Sequence, residues 1–141
     1  MKFKYLSFPL PKPSLVFGSA LPKPIIPVEF TYRDRKIRYG ALVDSGADFC
    51  MLDGTIGEFL GIDVRSGMRE VFGGVEESKG SEAFFHPLVL NIGGFEYEVM
   101  VGFSYDIASH GFCVLGQRGF FDRFIVKFDL LKEEIELKKR K

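Results

Sequence analysis

The chain reads as an all-β, barrel-like domain, and three features of the string carry that reading. Apolar and polar residues alternate with period two through several runs, the pattern of strands with one buried face. Glycine-bearing turn signals separate those runs. Gly93-Gly94, between residues 87–92 and 95–101, is a strong signal for a two-residue hairpin. No strand–helix–strand alternation runs through the chain, so a parallel α/β sheet is not expected. With 141 residues, 46% of them apolar, the chain has enough material for one domain with a moderate core.

Residues 1–27 form a proline-rich N-terminal arm in which Leu10-Pro11-Lys12-Pro13 is echoed by Leu21-Pro22-Lys23-Pro24. Proline fixes φ and removes a ladder donor, so the arm is expected to be extended and interrupted, with at most short edge strands. Its apolar residues need a surface, which is either its own domain or a partner chain in a dimer. Residues 28–141 are expected to form the domain proper. Residues 28–32 alternate, residues 34–36 are polar and residues 37–43 are again apolar-rich, which predicts a hairpin. Residues 49–52 read as a short strand. Ile56, Phe59 and Leu60 share a helical face, which predicts a short helix with Asp53 or Thr55 as cap and Gly61 as stop.

Residues 65–72 and 78–85 flank a polar, glycine-bearing tip at residues 73–77 and predict a second hairpin. Residues 104–111 read as a loop. Residues 112–115 are wholly apolar, as expected of a fully buried strand. A one- or two-turn helix fits residues 120–124, and residues 125–129 and 134–138 predict a final hairpin. The expected total is eight or nine strands and two short helices.

The 19 basic and 19 acidic residues cancel, so bulk charge gives no reason to expect nucleic acid or an anionic membrane as partner. The terminal Lys138-Lys139-Arg140-Lys141 reads as a solvated end. Cys50 and Cys113 stand apart without C-x-x-C spacing, and His86 and His110 are isolated, so no metal site or cofactor is called for. All four read as ordinary fold residues, with one disulfide between the cysteines allowed. Residues 1–6 begin like a signal peptide, but Pro9, Pro11 and Pro13 interrupt it. No stretch reaches the roughly 18 apolar residues that span a bilayer. The expectation is a soluble, cytoplasmic protein.

The segment with chemistry is Ala41-Leu42-Val43-Asp44-Ser45-Gly46-Ala47-Asp48. An apolar run delivers a carboxylate onto a tight turn at the end of a buried strand. Gly46 permits that turn. An aspartate seldom sits in such a place unless it is paired or working.

With Val114-Leu115-Gly116 downstream, this segment resembles the retropepsin-like aspartic proteases, over about residues 28–130. Phe120-Phe121-Asp122-Arg123-Phe124 is closer to stand-alone cellular members than to retroviral ones. The resemblance implies a closed barrel with a flap hairpin and a homodimer in which two Asp-(Ser/Thr)-Gly carboxylates share a proton and activate water against a peptide bond. Only one such triplet is present, so Asp44 would have to come from each of two chains. Ser45 then matches the hydroxyl that locks the two loops together. Gly46 matches the glycine whose N–H approaches the carboxylate.

The resemblance makes Asp44, Ser45 and Gly46 the catalytic set, with Asp48, Gly73, Gly74 and Val114 as substrate-binding candidates. Asp48 also reads as an Asx-type loop cap, and Gly73-Gly74 as a plain hairpin tip rather than a flap. Val114, Leu115 and Gly116 match the strand that threads through the active-site loop.

Two departures stand out. Retroviral members place Arg directly after that glycine, whereas here Gln117 intervenes and the Arg is Arg118. The proline-rich arm also replaces their short terminal strand, so the terminal sheet would be built differently. Two other functions fit the same string. One is a catalytically silent dimer of this fold that binds peptides or proteins. The other is a zymogen-like state with the arm in the cleft.

Overall fold

The computed structural model describes residues 1–73 and 80–141, and at residues 108–110 the backbone alone. Twelve strands follow one another: β1 (Lys2–Lys4), β2 (Leu6–Ser14), β3 (Gly18–Lys23), β4 (Ile25–Tyr32), β5 (Arg35–Val43), β6 (Met51–Asp53), β7 (Met68–Phe72), β8 (Ser81–Ile92), β9 (Phe95–Ser104), β10 (Cys113–Leu115), β11 (Phe124–Asp129) and β12 (Glu134–Lys139). One α-helix, α1 (Gly54–Phe59), and 3-10 segments at Val64–Ser66 and Tyr105–His110 are the helical elements among the described residues.

Six strands close a barrel in the order β4-β5-β10-β6-β9-β8, sealed by pairing of β4 with β8. The long β8 serves three neighbours. Its whole second half lies along β9, while the opposite edge pairs first with β7 and then with β4. A closed barrel leaves few free strand edges. Alternation decides what points inward. In β9, Tyr97, Val99 and Val101 are buried while Glu96, Glu98 and Met100 face out. In β4 the inward set is Ile26, Val28 and Phe30. Burying each such side chain stabilises by about 1.5–3 kcal/mol. Phe120, Phe124, Ile135 and Leu137 extend the core toward the C-terminus.

All four expected antiparallel strand pairings form, β7 with β8 among them. The β4–β5 hairpin begins earlier than its alternation suggested, with Ile25 opposite Leu42. In the β8–β9 hairpin both turn glycines have positive φ, 59° and 90°, as a type I′ turn requires. The final hairpin pairs β11 with β12. The predicted helix is α1. Its cap is Asp53, whose Oδ1 accepts from the Thr55 N–H at 2.9 Å, and Gly61 beyond its end has φ +84°.

Other expectations need correction. The N-terminal arm is more regular than its prolines suggested. β2 and β3 form a two-stranded ribbon with Ser7 opposite Pro22 and Pro9 opposite Ala20. These pairs are two residues apart and so belong to one class. A class of pair that exchanges no N–H···O bonds accommodates proline on either strand. The ribbon's tip is preformed, since the Ser14 Oγ accepts from the N–H groups of Val16 and Phe17, both at 3.1 Å. Leu15, Val16 and Phe17 there are exposed. The arm's base packs on its own domain: β1 pairs with β12, and the Phe8 ring meets Phe112 edge-on at 5.2 Å. The terminal sheet β1-β12-β11 is thus built within one chain.

Residues 120–123 form turns rather than a regular helix: the Phe124 N–H donates to the Phe120 carbonyl at 3.0 Å, and β11 begins at that same Phe124. The stretch read as a loop contains the 3-10 segment Tyr105–His110, capped by the Ser104 Oγ, which accepts from the Asp106 N–H.

Candidate active site

β10 carries the local architecture. It lies between β5, to which it is parallel, and β6, to which it is antiparallel. The chain that leaves β5 and enters β6 must therefore cross over the end of β10. That crossing is residues 44–50, the segment with Asp44. Apolar Cys113, Val114 and Leu115 are buried on both faces, which is what a central position demands.

Four hydrogen bonds tie residues 44–48 of the crossing loop to residues 115–118, at and just beyond the end of β10. The Asp44 N–H donates to the Leu115 carbonyl at 3.0 Å, the Gln117 N–H to Ala47 at 2.8 Å and the Arg118 N–H to Asp48 at 2.9 Å. The Gln117 side-chain Nε2 donates to the Ser45 carbonyl at 2.7 Å. Gly116 passes directly beneath the loop. A Cβ on it would stand 2.7 Å from the Phe49 carbonyl carbon and 2.8 Å from the Ala47 oxygen, with the Phe49 oxygen closer still. Only glycine fits that approach.

Within the loop the turn closes when the Ala47 N–H donates to the Asp44 carbonyl at 3.1 Å. The Gly46 N–H donates to Asp44 Oδ1 at 2.9 Å, the contact expected of that glycine. Asp44 is half-buried, while Ser45, Gly46 and Asp48 are exposed. The arrangement presents one carboxylate, held by a backbone N–H, just past the end of β5 beside the exposed residue Ser45.

The Asp48 carboxylate takes no hydrogen bond or ion pair among the described residues, so the Asx-type cap is not formed there. Arg118 is exposed and likewise has no ion pair among the described residues. Phe49 contacts Phe85 at 4.9 Å and Phe72 at 5.6 Å between ring centroids. Phe72 ends β7 and pairs with Ser81, so the loop touches the end of the β7–β8 pair. Gly73, exposed at φ +81°, is the last described residue after β7, and Gly74 lies outside the described residues. Val114 is 7% exposed and sits in the supporting strand opposite Leu42 and Met51.

Gln117 is the residue that motif comparison undervalued. It looked like an insertion before the arginine, yet both its backbone and its side chain hold the Asp44 loop. No local pattern signals this, because the bond joins residues 72 apart in sequence.

Cys50 and Cys113 are free and buried, so the allowed disulfide is not formed. Burial pushes the Cys50 thiol up to about 12 and the Cys113 thiol well above its ordinary value. The Cys50 Sγ points at the Arg118 carbonyl, 3.6 Å away. Burial also raises Tyr97, whose hydroxyl donates to the Gly119 carbonyl at 2.8 Å. His86 bonds the Val64 carbonyl at 2.8 Å and is a fold residue. Among the described residues no three His, Cys, Asp or Glu converge on one point. No helix among them is long and apolar enough to cross a membrane.

No protein family profile matches the chain, and no curated protein sequence does. Among solved structures it is similar to EIAV protease complexed with the inhibitor HBY-793. The TM-score is 0.50 at 19% identity, over 67% of this chain and 82% of that one. At that identity the likeness is one of fold: the chain has the retropepsin-like, all-β barrel architecture of the viral enzyme.

Proposed function

We propose that this chain is one half of an aspartic endopeptidase, completed when a second copy brings its own Asp44 to the same site. The observation that carries the reading is the crossing loop. Asp44 leaves a buried strand, receives the Gly46 N–H at 2.9 Å, and stands beside exposed Ser45 just past the end of β5 in a retropepsin-like barrel. One carboxylate cannot act as acid and base at once. The sequence holds one Asp-(Ser/Thr)-Gly, and a two-fold dimer supplies the other.

In that dimer the two carboxylates share a proton, because like charges so close resist joint ionisation. The ionised one takes a proton from a water lying between them. The oxygen of that water attacks the scissile carbonyl carbon, and the protonated carboxylate gives its proton to the carbonyl oxygen. In the collapse of the tetrahedral diol, the carboxylate that took the water proton gives it to the departing nitrogen, while the other carboxylate takes a proton from a diol hydroxyl, which restores the shared-proton pair. Ser45 bonds across the two-fold axis and Asp48 meets the substrate backbone. Gly73 and Gly74 serve in this reading as the flap candidates over an extended peptide, limiting access of bulk water. The stand-alone cellular type and a cytoplasmic setting belong to the same reading.

The test is cleavage of a peptide library over about pH 3–8 by the wild type and Asp44→Asn. The variant should lose activity by about a thousandfold or more. Activity that survives it sinks the aspartic mechanism. Sedimentation adds a second criterion, since a strict monomer at high micromolar concentration forms no dyad. A wild type that dimerises and binds extended peptides without cleaving them would instead favour the interaction module.

A further inference from the structure

One peptide group links Gln117 to Asp44. Gln117 Nε2 donates to the carbonyl oxygen of Ser45 at 2.7 Å. The N–H of that same peptide group is the Gly46 N–H, which donates to Asp44 Oδ1 at 2.9 Å. The Ser45–Gly46 unit is therefore gripped at both ends. Both residues are exposed, and glycine leaves the group free to rotate, so little else fixes its plane. A flip would turn the carbonyl oxygen toward the carboxylate and remove its donor.

We propose that Gln117 is a positioning residue: its side-chain amide sets the plane of the Ser45–Gly46 peptide and so aims the Gly46 N–H at the Asp44 carboxylate. The proposal rests on the reading of Asp44 as the catalytic group. A donor on the carbonyl oxygen also polarises the amide and strengthens its N–H as a donor, by about 10–30%. The base from which Gln117 reaches is rigid. Its own N–H bonds Ala47 at 2.8 Å, and its carbonyl accepts from the Asp122 N–H at 3.1 Å. Those backbone bonds survive any side-chain substitution, which separates positioning from a general structural role.

The experiment uses the full chain with Gln117→Ala, Gln117→Glu and Gln117→Lys. Alanine and glutamate remove the donor, whereas lysine restores one. Amide exchange with water at Gly46, read by NMR, should quicken at least about tenfold in the alanine and glutamate variants and recover in the lysine variant. For peptide hydrolysis kcat should fall at least about tenfold with KM within about twofold, again recovered by lysine. The melting temperature should change little.

Unchanged Gly46 exchange in Gln117→Ala overturns the proposal. So does a large fall in melting temperature that lysine fails to rescue. If the wild type cleaves no peptide, the functional reading fails by itself, and Gly46 exchange still decides whether Gln117 sets this peptide plane.

Discussion

Gly116→Ala is the sharpest test of how the candidate site is held. The φ of Gly116 lies outside the left-handed region, so an alanine there meets no backbone strain. The obstacle is collision. Its Cβ would stand 2.7 Å from the Phe49 carbonyl carbon and 2.8 Å from the Ala47 oxygen, and both belong to backbone that cannot rotate aside. Overpacking of this kind costs about 1–3 kcal/mol. Relief requires lifting the crossing loop, which loosens bonds such as Gln117 N–H to Ala47 at 2.8 Å and Asp44 N–H to Leu115 at 3.0 Å. Each is worth about 1 kcal/mol.

The expected loss is therefore about 3–5 kcal/mol, or about 10–20 °C in melting temperature for a domain of this size. Gly94→Ala is the control. It carries backbone strain alone, with φ +90° and no atom within 4 Å of the added Cβ, and should cost about 1 kcal/mol. Urea unfolding of the three proteins, with equal m-values, measures the difference. A Gly116→Ala protein within 1 kcal/mol of wild type, by the same estimate of overpacking cost, would refute the tight threading of β10 under the loop.

Further outcomes follow from the rest of the molecule. Asp53→Ala removes the acceptor for the Thr55 N–H at 2.9 Å and should cost about 1 kcal/mol in thermal or chemical unfolding. Cys50 and Cys113 should resist a disulfide exchange reagent at pH near 8 until the protein unfolds, because both are buried and their thiols are held protonated. The same shift fixes the sign of an alkaline effect. The Cys50 thiol has an ordinary value of 9.0 and rises to about 12 in the fold. Above pH 9.0 the unfolded chain releases a proton that the folded one keeps. Stability should thus fall with rising pH until about 12, at about 1.4 kcal/mol per pH unit for this thiol. Cys50→Ala should flatten that slope, and an unchanged slope between the two proteins would rule the thiol out as its source.

Much of the barrel was legible because its signals are short-range. Gly93-Gly94 demands positive φ wherever it lies, Asp53 caps the helix beginning at the next residue, and Tyr97, Val99 and Val101 announce a buried face by period alone. Prolines misled for the same reason. Read singly, Pro9 and Pro22 exclude a ladder, but the ribbon's register places them in pairs that exchange no bond. The helix expected at residues 120–124 stops at a single turn, closed by the Phe124 N–H on the Phe120 carbonyl at 3.0 Å, because strand β11 already begins at Phe124.

Asp44, Ser45 and Gly46 could be picked out from chain order, since an apolar strand, a carboxylate and a turn glycine are neighbours in the string. What neighbours cannot express is the order of strands. β10 lies between β5 and β6, and from that placement alone come the crossing loop, the close passage of Gly116 and the bond from Gln117 to Ser45 across 72 residues. Hydrogen-bond and steric energies fall off within a few ångströms. A contact between distant segments therefore exists only once the barrel has closed and brought them to that range.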